Sequence, residues 1–269
     1  MSVLDIEKFS KILISALEHA RNKIIKSREK IVSLRENRFG DTTYNIDYEA
    51  EKAIVEEFKK SGIGFTMISE ESGTIDVNGG GLIAIVDPLD GSNNAVRGIP
   101  CYSVSICISK SLKFSDIIVS GVINVNTGDI IFCDGKNVYL NGQVKRPSSR
   151  TELPLTLATV IPRVYGVEDS RYSEKLFKIL KHVRYPRFFG TAAIETAYVS
   201  TGNLDAFIEL YPRLRVVDIA SSLYMAKTSG AFFKLLNIEN ELDLAYDGRI
   251  SCILAANNVL GNKILDVIS

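Results

Sequence analysis

An apolar segment that runs directly into two aspartates constrains this chain more than any other feature. Residues 82–100 read LIAIVDPLDGSNNAVRGIP, so a strand pattern is followed at once by Asp87 and Asp90. Pro88 fixes the local backbone and is expected to end the strand, while Gly91 allows the chain to turn and to approach a ligand closely. Two carboxylates that converge at the end of a buried strand repel each other unless a cation lies between them. Their oxygen atoms are ligands of the kind that Mg²⁺ prefers.

The turn after Asp90 has two interpretations, one as a ligand site and one as a purely structural helix cap. The residues after Gly91 could open a helix, whose first N–H groups at Gly91, Ser92 and Asn93 would point at an anion. A metal ion and a phosphate group would then meet at one place. Alternatively, Asp90 only caps that helix and binds no ligand. The segment by itself leaves both interpretations open.

Further acids at the ends of other elements favour the metal interpretation. Glu70 and Glu71 follow the strand pattern FTMIS, and Asp218 follows an apolar pair and opens a helix pattern. Asp47 opens an earlier helix pattern, where capping is an alternative to metal binding. Acids therefore occur at several places where strands end or helices begin.

Composition restricts the remaining chemistry. The 269 residues carry 32 Lys+Arg and 32 Asp+Glu, so no net charge attracts nucleic acid or an anionic membrane. The four cysteines show no C-x-x-C spacing and are expected to be buried and reduced. His19 and His182 are isolated in helical patterns without a G-x-S-x-G motif, which argues against a histidine-based triad. Catalysis would therefore depend on carboxylates, hydroxyls and backbone amides.

Neither a membrane span nor a secretion signal is expected. No apolar run reaches the ~18–20 residues of a transmembrane helix. The first ten residues, MSVLDIEKFS, carry acids where a signal peptide needs a basic start and an apolar core. The sequence therefore predicts a cytoplasmic protein that binds neither membranes nor nucleic acid.

The order of helix and strand patterns predicts two domains. Residues 1–148 begin with two helix patterns and continue with short β-rich runs, as in an α+β domain. Within them, residues 126–128 (NTG) predict a hairpin with a three-residue loop. Residues 149–269 alternate strand and helix patterns, which is typical of a layered α/β domain.

Three motifs, taken in order, resemble the inositol monophosphatase superfamily of Mg²⁺-dependent sugar phosphatases. They are ISEESG, VDPLDGSNN and VVDIASS, and the segment GTAAIETAYVSTGNLDAFIEL is similar to a further part of the superfamily pattern. GDTTYNIDYEAE and RGIPCYSVSICIS look most like the archaeal-type enzymes, which hydrolyse both fructose 1,6-bisphosphate and inositol 1-phosphate. The resemblance implies a layered α-β-α-β-α sandwich of the sugar phosphatase type.

The resemblance also implies ligands for two or three Mg²⁺ ions. Acids from all three motifs would hold two of these ions, and Asp47 would lie beside them or near a third. The implied ligands are Glu70, Asp87 and the Leu89 carbonyl for the first metal, and Asp87, Asp90 and Asp218 for the second.

Residues around these ligands would handle water and substrate. Ser92, together with Glu70, would orient and activate the attacking water, and Asp47 would support this step. The N–H groups of Gly91 and Ser92 would hold the phosphate group. The residues expected to hold the sugar hydroxyls are Gly190, Thr191, Ala192 and Glu209.

Departures from the superfamily pattern concern the substrate more than the chemistry. Val217 stands where the distal motif usually has Trp, which changes the packing behind Asp218 without removing that ligand. The segment YPRLR, between Glu209 and Asp218, contains Arg213 and Arg215. These arginines would either bind a second phosphate group or lie on a solvated surface loop.

The implied reaction is hydrolysis of inositol 1-phosphate, fructose 1,6-bisphosphate or both by metal-activated water, in a homodimer. One alternative is a 3′(2′),5′-bisphosphate nucleotidase, although relatives of that kind carry D-G-T-K-x-F where this chain has residues 90–95, DGSNNA. Another is a non-catalytic regulator that binds a metal or a sugar phosphate. The presence of every metal carboxylate speaks against the regulator.

Overall fold

The computed structural model describes residues 3–28, 31–36 and 42–269. The first two residues of the N-terminal segment MSVLDIEKFS lie outside these ranges. None of the helices in these ranges is long and apolar enough to cross a membrane. The helices are α1 (Val3–Ser27), α2 (Asn45–Ser61), α3 (Ser92–Val96), α4 (Ser170–His182), α5 (Ala192–Thr201), α6 (Val216–Ser229) and α7 (Asn258–Ile268).

The strands form one short antiparallel pair and two larger sheets. The pair joins β1 (Ser33–Glu36) to β2 (Thr42–Tyr44). The large sheet has eight strands in the order β10-β9-β8-β7-β6-β5-β3-β4, and only β3 and β5 are parallel neighbours in it. Its strands are β3 (Phe65–Ser69), β4 (Gly73–Val77), β5 (Leu82–Asp90), β6 (Ser103–Ser109), β7 (Ile117–Asn124), β8 (Ile130–Cys133), β9 (Val138–Leu140) and β10 (Gln143–Lys145).

The small sheet contains the strands of the second half of the chain. Its order is β12-β11-β13-β15-β14, with β11 parallel to both of its neighbours and the remaining pairs antiparallel. Its strands are β11 (Leu157–Val160), β12 (Tyr185–Arg187), β13 (Ala206–Leu214), β14 (Phe232–Leu235) and β15 (Ile250–Ala255).

Helices and sheets alternate in five layers. The α1–α2 pair covers one face of the large sheet, and the α5–α6 pair fills the space between the two sheets. The α4–α7 pair covers the outer face of the small sheet. The layered α-β-α-β-α architecture implied by the sequence is therefore confirmed.

One glycine allows the first helix to lie directly on the large sheet. Leu13, Leu17, Ala20 and Ile24 form the fully buried stripe of α1, spaced at three and four residues as in an amphipathic helix. A Cβ atom at Gly121 of β7 would lie only 2.5 Å from Leu13 Cδ2 and 2.7 Å from Leu17 Cδ1. The helix can approach the strand this closely because residue 121 has no side chain.

A continuous core crosses the predicted domain boundary. The strands of the two sheets divide between Lys145 and Leu157. However, one cluster of buried apolar side chains extends from Ile85 of the large sheet through Leu223 of α6 to Phe207 of the small sheet. The division into residues 1–148 and 149–269 stays a prediction.

Two local expectations are wrong, and one helix was not predicted. Pro88 does not end β5, which continues to Asp90 because the proline lies at a bulge. The β7–β8 connection has five residues, 125–129, rather than three, since the side chain of Asn124 accepts N–H groups of the turn and widens it. The helix α7 follows the last predicted strand and had no counterpart among the sequence patterns.

Candidate active site

The parallel pairing of β3 with β5 brings the first two acids together. Ser69, the last residue of β3, lies beside Val86 of β5, and the Glu70 N–H donates to the Val86 carbonyl at 3.3 Å. Parallel strands end at the same edge of a sheet, so Glu70 and Asp87 follow this pair as neighbours. Both side chains are buried.

A one-residue bulge places Asp90 on the same side as Asp87. Asp87 pairs with Ser105 of β6, whereas Asp90 pairs with Ser103, so β5 has one more residue than β6 between these two positions. In a regular strand, residues three apart point to opposite faces. The bulge removes this alternation and lets two aspartates three residues apart share one environment.

A third acid arrives from the other half of the chain. Asp218 lies in the first turn of α6, and its Oδ2 accepts the backbone N–H of Arg215 at 2.7 Å. Glu70, Asp87 and Asp218 each offer a carboxylate oxygen, and these oxygens all lie within 4.8 Å of one another. The sequence motifs that were expected to supply metal ligands therefore converge at one point.

Burial and mutual repulsion disfavour the charged forms of these acids. Burial raises the pKa of Glu70 to about 8; Arg215 opposes this shift, and the charge of Asp218 adds to it. Burial, followed by the charges of Glu70 and Asp90, holds the pKa of Asp87 well above its usual range. Burial also raises the pKa of Asp90 to about 7.

The cluster fits a hard divalent cation. The Oδ2 atom of Asp87 is buried and has no hydrogen-bond partner among the described residues, although Oδ1 accepts the Leu89 N–H at 3.1 Å. A buried carboxylate oxygen without a donor is costly, and a cation satisfies it. The donor set consists of carboxylate oxygens, which suit Mg²⁺ better than a softer metal.

Asp90 caps a helix, but not the one that follows it in the sequence. Its Oδ2 accepts the Thr191 hydroxyl at 2.6 Å and the Ala193 N–H at 2.7 Å, both at the start of α5. The structural alternative of capping α3 is therefore wrong. Asp90 instead connects the end of β5 to the segment around Thr191, which is expected to hold the sugar.

Ser92 and Asp47 form a hydroxyl–carboxylate pair beside the cluster. The Ser92 Oγ lies 3.0 Å from Asp47 Oδ1 and 2.8 Å from the Leu89 carbonyl oxygen. Asp47 lies in the first turn of α2, where its Oδ2 accepts the Tyr44 N–H at 2.6 Å. The sequence had associated Ser92 with Glu70, whereas the structure gives it Asp47 as a hydrogen-bond partner.

A cavity of about 440 Å³ is lined by Glu70, Asp90 and Asp218 and by the residues expected to bind the sugar. Its lining includes the turn at Gly91 and Ser92, together with Glu209 and several arginines. A larger cavity, of about 630 Å³, lies near Phe114 and Phe233 and contains none of these groups. The residues Gly190, Thr191 and Ala192 line the smaller cavity, as do Leu89, Asp90, Arg213, Arg215 and Asp218.

A family model described as "Inositol monophosphatase family" matches residues 5–263. The chain belongs to the inositol monophosphatase family. Members of this family are phosphomonoesterases that depend on metal ions, and the acidic cluster is consistent with that dependence.

Similar proteins include archaeal and bacterial members of the inositol monophosphatase family. A fructose-1,6-bisphosphatase/inositol-1-monophosphatase of Archaeoglobus fulgidus is 32% identical, over 90% of this chain and 89% of its own. A protein of the same description from Methanothermobacter thermautotrophicus is 30% identical, over 94% and 92%. The crystal structure of the extragenic suppressor protein suhB from Bartonella henselae superimposes with a TM-score of 0.82 at 26% identity, over 96% and 97%.

A buried glutamate that was not among the predicted site residues organises the segment before α5 in this family member. The Oε1 atom of Glu195 accepts the N–H groups of Phe189, Gly190 and Thr191 at 2.9–3.2 Å. Its Oε2 accepts the Thr159 hydroxyl at 2.6 Å. The sequence did contain an indication of this role, because Glu195 lies four residues after Thr191 in a helix pattern made mostly of small and apolar residues.

The expected basic insert is part of a strand. Arg213 lies on β13, packs 5.0 Å from the ring centre of Tyr211 and donates to the Tyr165 carbonyl at 3.4 Å. Arg215 follows that strand and has a side-chain exposure of only 14%. The surface-loop alternative is therefore wrong for Arg215, because its guanidinium contacts the acids of the cluster.

Two further arginines that the sequence did not single out line the cavity. Arg163 and Arg249 stand with Arg213 near Glu209, whose Oε1 accepts the Tyr211 N–H at 3.2 Å. Burial raises the pKa of Glu209 to about 7, while the charges of Arg163 and Arg213 oppose this shift. Arg163 and Arg213 therefore place positive charge near Glu209.

Removing one buried charge should stabilise the metal-free protein. In Asp87→Asn the amide keeps the acceptor for the Leu89 N–H and relieves the repulsion from Glu70 and Asp90. A carboxyl group whose pKa the fold raises costs stability near neutral pH, so the free energy of unfolding should rise in the variant. The same variant should lose the increase in Tm that Mg²⁺ gives the wild type.

Thermal unfolding of chelator-treated protein, with and without added Mg²⁺, measures both effects. Asp76→Asn is the matched control, because Asp76 is exposed on β4 and does not line the cavity. An Asp87→Asn protein that melts below the wild type without metal, and gains as much from Mg²⁺, would contradict the assignment of Asp87 to a cation site.

Proposed function

We propose that this protein is a Mg²⁺-dependent phosphomonoesterase that hydrolyses inositol 1-phosphate, fructose 1,6-bisphosphate or both. The observation that carries the proposal is the convergence of Glu70, Asp87 and Asp218 beside a cavity that is also lined by several arginines. A phosphate ester needs both features, since cations stabilise charge at the phosphorus centre and the protein holds the remainder of the substrate. Membership of the inositol monophosphatase family supports the same conclusion.

The proposed ligands of two or three Mg²⁺ ions are those that the sequence indicated. Glu70, Asp87 and the Leu89 carbonyl would hold one ion, and Asp87, Asp90 and Asp218 another. Ions bound there supply Lewis-acid stabilisation of phosphate oxygens and a bound water of lowered pKa. No step requires a covalent intermediate with the protein.

The proposed role of Ser92 and Asp47 is to position the attacking water. The Ser92 hydroxyl can accept a hydrogen bond from the water while it donates one to Asp47 Oδ1, 3.0 Å away. Burial raises the pKa of Asp47 to about 7, so this carboxyl group can exchange a proton near neutral pH. The backbone N–H groups of Gly91 and Ser92 would meanwhile hold the phosphate group.

The substrate would extend from the acids toward β13. Glu209 and the segment of Gly190 to Ala192 would contact sugar hydroxyls, because they line the cavity beyond Asp90. Arg213 and Arg163, which line the same cavity, would bind a second phosphate, since one guanidinium group can donate two parallel hydrogen bonds to phosphate oxygens.

A homodimer and a cytoplasmic location complete the proposal. The edge strand β12 of the small sheet is exposed, and Tyr185, Phe188 and Phe189 present large aromatic surfaces around it. A second copy of the chain packed against this edge would cover these side chains and the outer edge of β12.

Ser92→Ala should lower kcat without a matching loss of stability. If Ser92 orients the water, kcat should fall about 10²-fold or more, the usual scale for such groups. KM should change little, because the backbone N–H at this position remains. Ser92→Thr should recover most of the activity, since it keeps the hydroxyl group.

Steady-state kinetics and melting temperatures of both variants separate this role from capping. Loss of a helix cap costs about 0.5–2 kcal/mol and leaves kcat nearly unchanged. An alanine variant that melts earlier and turns over normally would therefore remove Ser92 from the proposed mechanism.

A substrate panel at fixed Mg²⁺ tests the proposed specificity. The wild type should release phosphate from inositol 1-phosphate and fructose 1,6-bisphosphate with higher kcat/KM than from adenosine 3′,5′-bisphosphate. Arg213→Ala should raise KM for fructose 1,6-bisphosphate about tenfold, the effect of losing one charge-assisted hydrogen bond, and spare inositol 1-phosphate. Arg171→Ala is the control, because Arg171 is exposed on α4 and contacts Asp169.

The alternatives give different results in the same panel. Preference for the nucleotide would indicate a bisphosphate nucleotidase, and binding without phosphate release would indicate a regulator. An equal effect of Arg213→Ala on both sugar phosphates would contradict the second-phosphate role.

A further inference from the structure

Arg215 lies among the acids rather than among the other arginines of the cavity. Its Nη1 is 2.5 Å from Glu70 Oε1, and its Nη2 is 2.9 Å from Asp218 Oδ1. Its Nε donates to the same Asp218 oxygen at 3.0 Å. The guanidinium therefore bridges two of the three carboxylates that converge on the proposed cation site.

The guanidinium and a divalent cation would bind the same carboxylate groups. Glu70 and Asp218 are two of the three residues whose oxygens lie within 4.8 Å of one another. Two positive charges beside the same carboxylates repel each other, and little solvent screens them because Glu70 and Asp218 are each 9% exposed at the side chain. Arg215 in its observed position and a bound divalent cation therefore compete.

The start of α6 does not depend on the Arg215 side chain. Asp218 uses Oδ2 to accept the backbone N–H of Arg215 at 2.7 Å, while the guanidinium donates mainly to Oδ1, with its Nε also 3.3 Å from Oδ2. The backbone hydrogen bond can persist when Oδ1 changes its partner. Release of the side chain therefore leaves the helix N-terminus and the position of Asp218 intact.

The cavity offers the released side chain another partner. Arg215 lines the same cavity as Gly91, Ser92 and Thr191, next to the proposed phosphate position. A guanidinium group pairs with phosphate oxygens as well as with carboxylates. A substrate phosphate can therefore replace the carboxylates as its partner.

We propose that Arg215 is an exchangeable counterion of the acid cluster. Its guanidinium neutralises Glu70 and Asp218 until divalent cations bind, and it then turns toward the phosphate group of the substrate. The inference rests on the proposed cation site and deepens it, because it makes cation binding and phosphate binding interdependent. By linkage, a ligand that draws the guanidinium away from the acids also strengthens cation binding.

Cation affinity of the Arg215→Met variant tests the competition. Methionine keeps an unbranched side chain and removes the charge, so the Kd for Mn²⁺ measured by isothermal titration calorimetry should fall at least tenfold. The Tm of the chelator-treated variant should also fall below that of the wild type, because the acids lose their counterion. Arg213→Met is the matched control and should change the Kd less than twofold, since Arg213 contacts Tyr211 and the Tyr165 carbonyl instead of the acids. Unchanged or weaker Mn²⁺ binding by Arg215→Met would overturn the inference.

A second measurement uses the wild type and does not depend on the folding of a variant. The ¹⁵N-edited NMR resonance of the Arg215 Nε–H group, assigned through the backbone, should shift as Mg²⁺ alone is added. Wild-type protein that binds no divalent cation would refute the proposed function itself. Wild-type protein that binds Mg²⁺ while this resonance stays in place would refute the exchange and leave the proposed function standing.

Discussion

Repulsion among buried carboxylates is the interaction on which the site depends. Asp87 has an oxygen with no hydrogen-bond partner among the described residues, and its neighbours Glu70 and Asp218 carry the same sign of charge. A fold that holds these groups together must stabilise negative charge by other means. Part of this stabilisation comes from the starts of three helices, which carry unpaired N–H groups and the positive end of the helix dipole.

These helix starts belong to different parts of the chain. Asp47 accepts an N–H group before α2, Asp90 accepts one at the start of α5, and Asp218 accepts one before α6. Each acid thereby fixes the beginning of a helix and is itself held in place. The layered fold is linked to the site because α2 covers one face of the large sheet, whereas α5 and α6 cover the other.

The acids of the motifs could be predicted from the sequence because each lies at the end of a local pattern. Asp87 and Glu70 follow apolar strand runs, and Asp218 opens a helix, so their convergence needed only the pairing of β3 with β5 and the layered packing. Arg215 could not be placed in this way. Its spacing from Asp218 allows a contact within one helical turn, but its bond to Glu70 depends on tertiary packing across 145 residues. The bulge at Pro88 was also missed, because a proline in a strand pattern ordinarily predicts an end.

Phosphate release from inositol 1-phosphate, measured as Mg²⁺ is added back to chelator-treated protein, tests the central claim most directly. The account predicts no turnover above background without metal and a saturable increase as Mg²⁺ fills the cluster of Glu70, Asp87 and Asp218. Turnover at the full rate in the presence of excess chelator would contradict it, because the buried carboxylates would then have a purpose other than holding cations for catalysis.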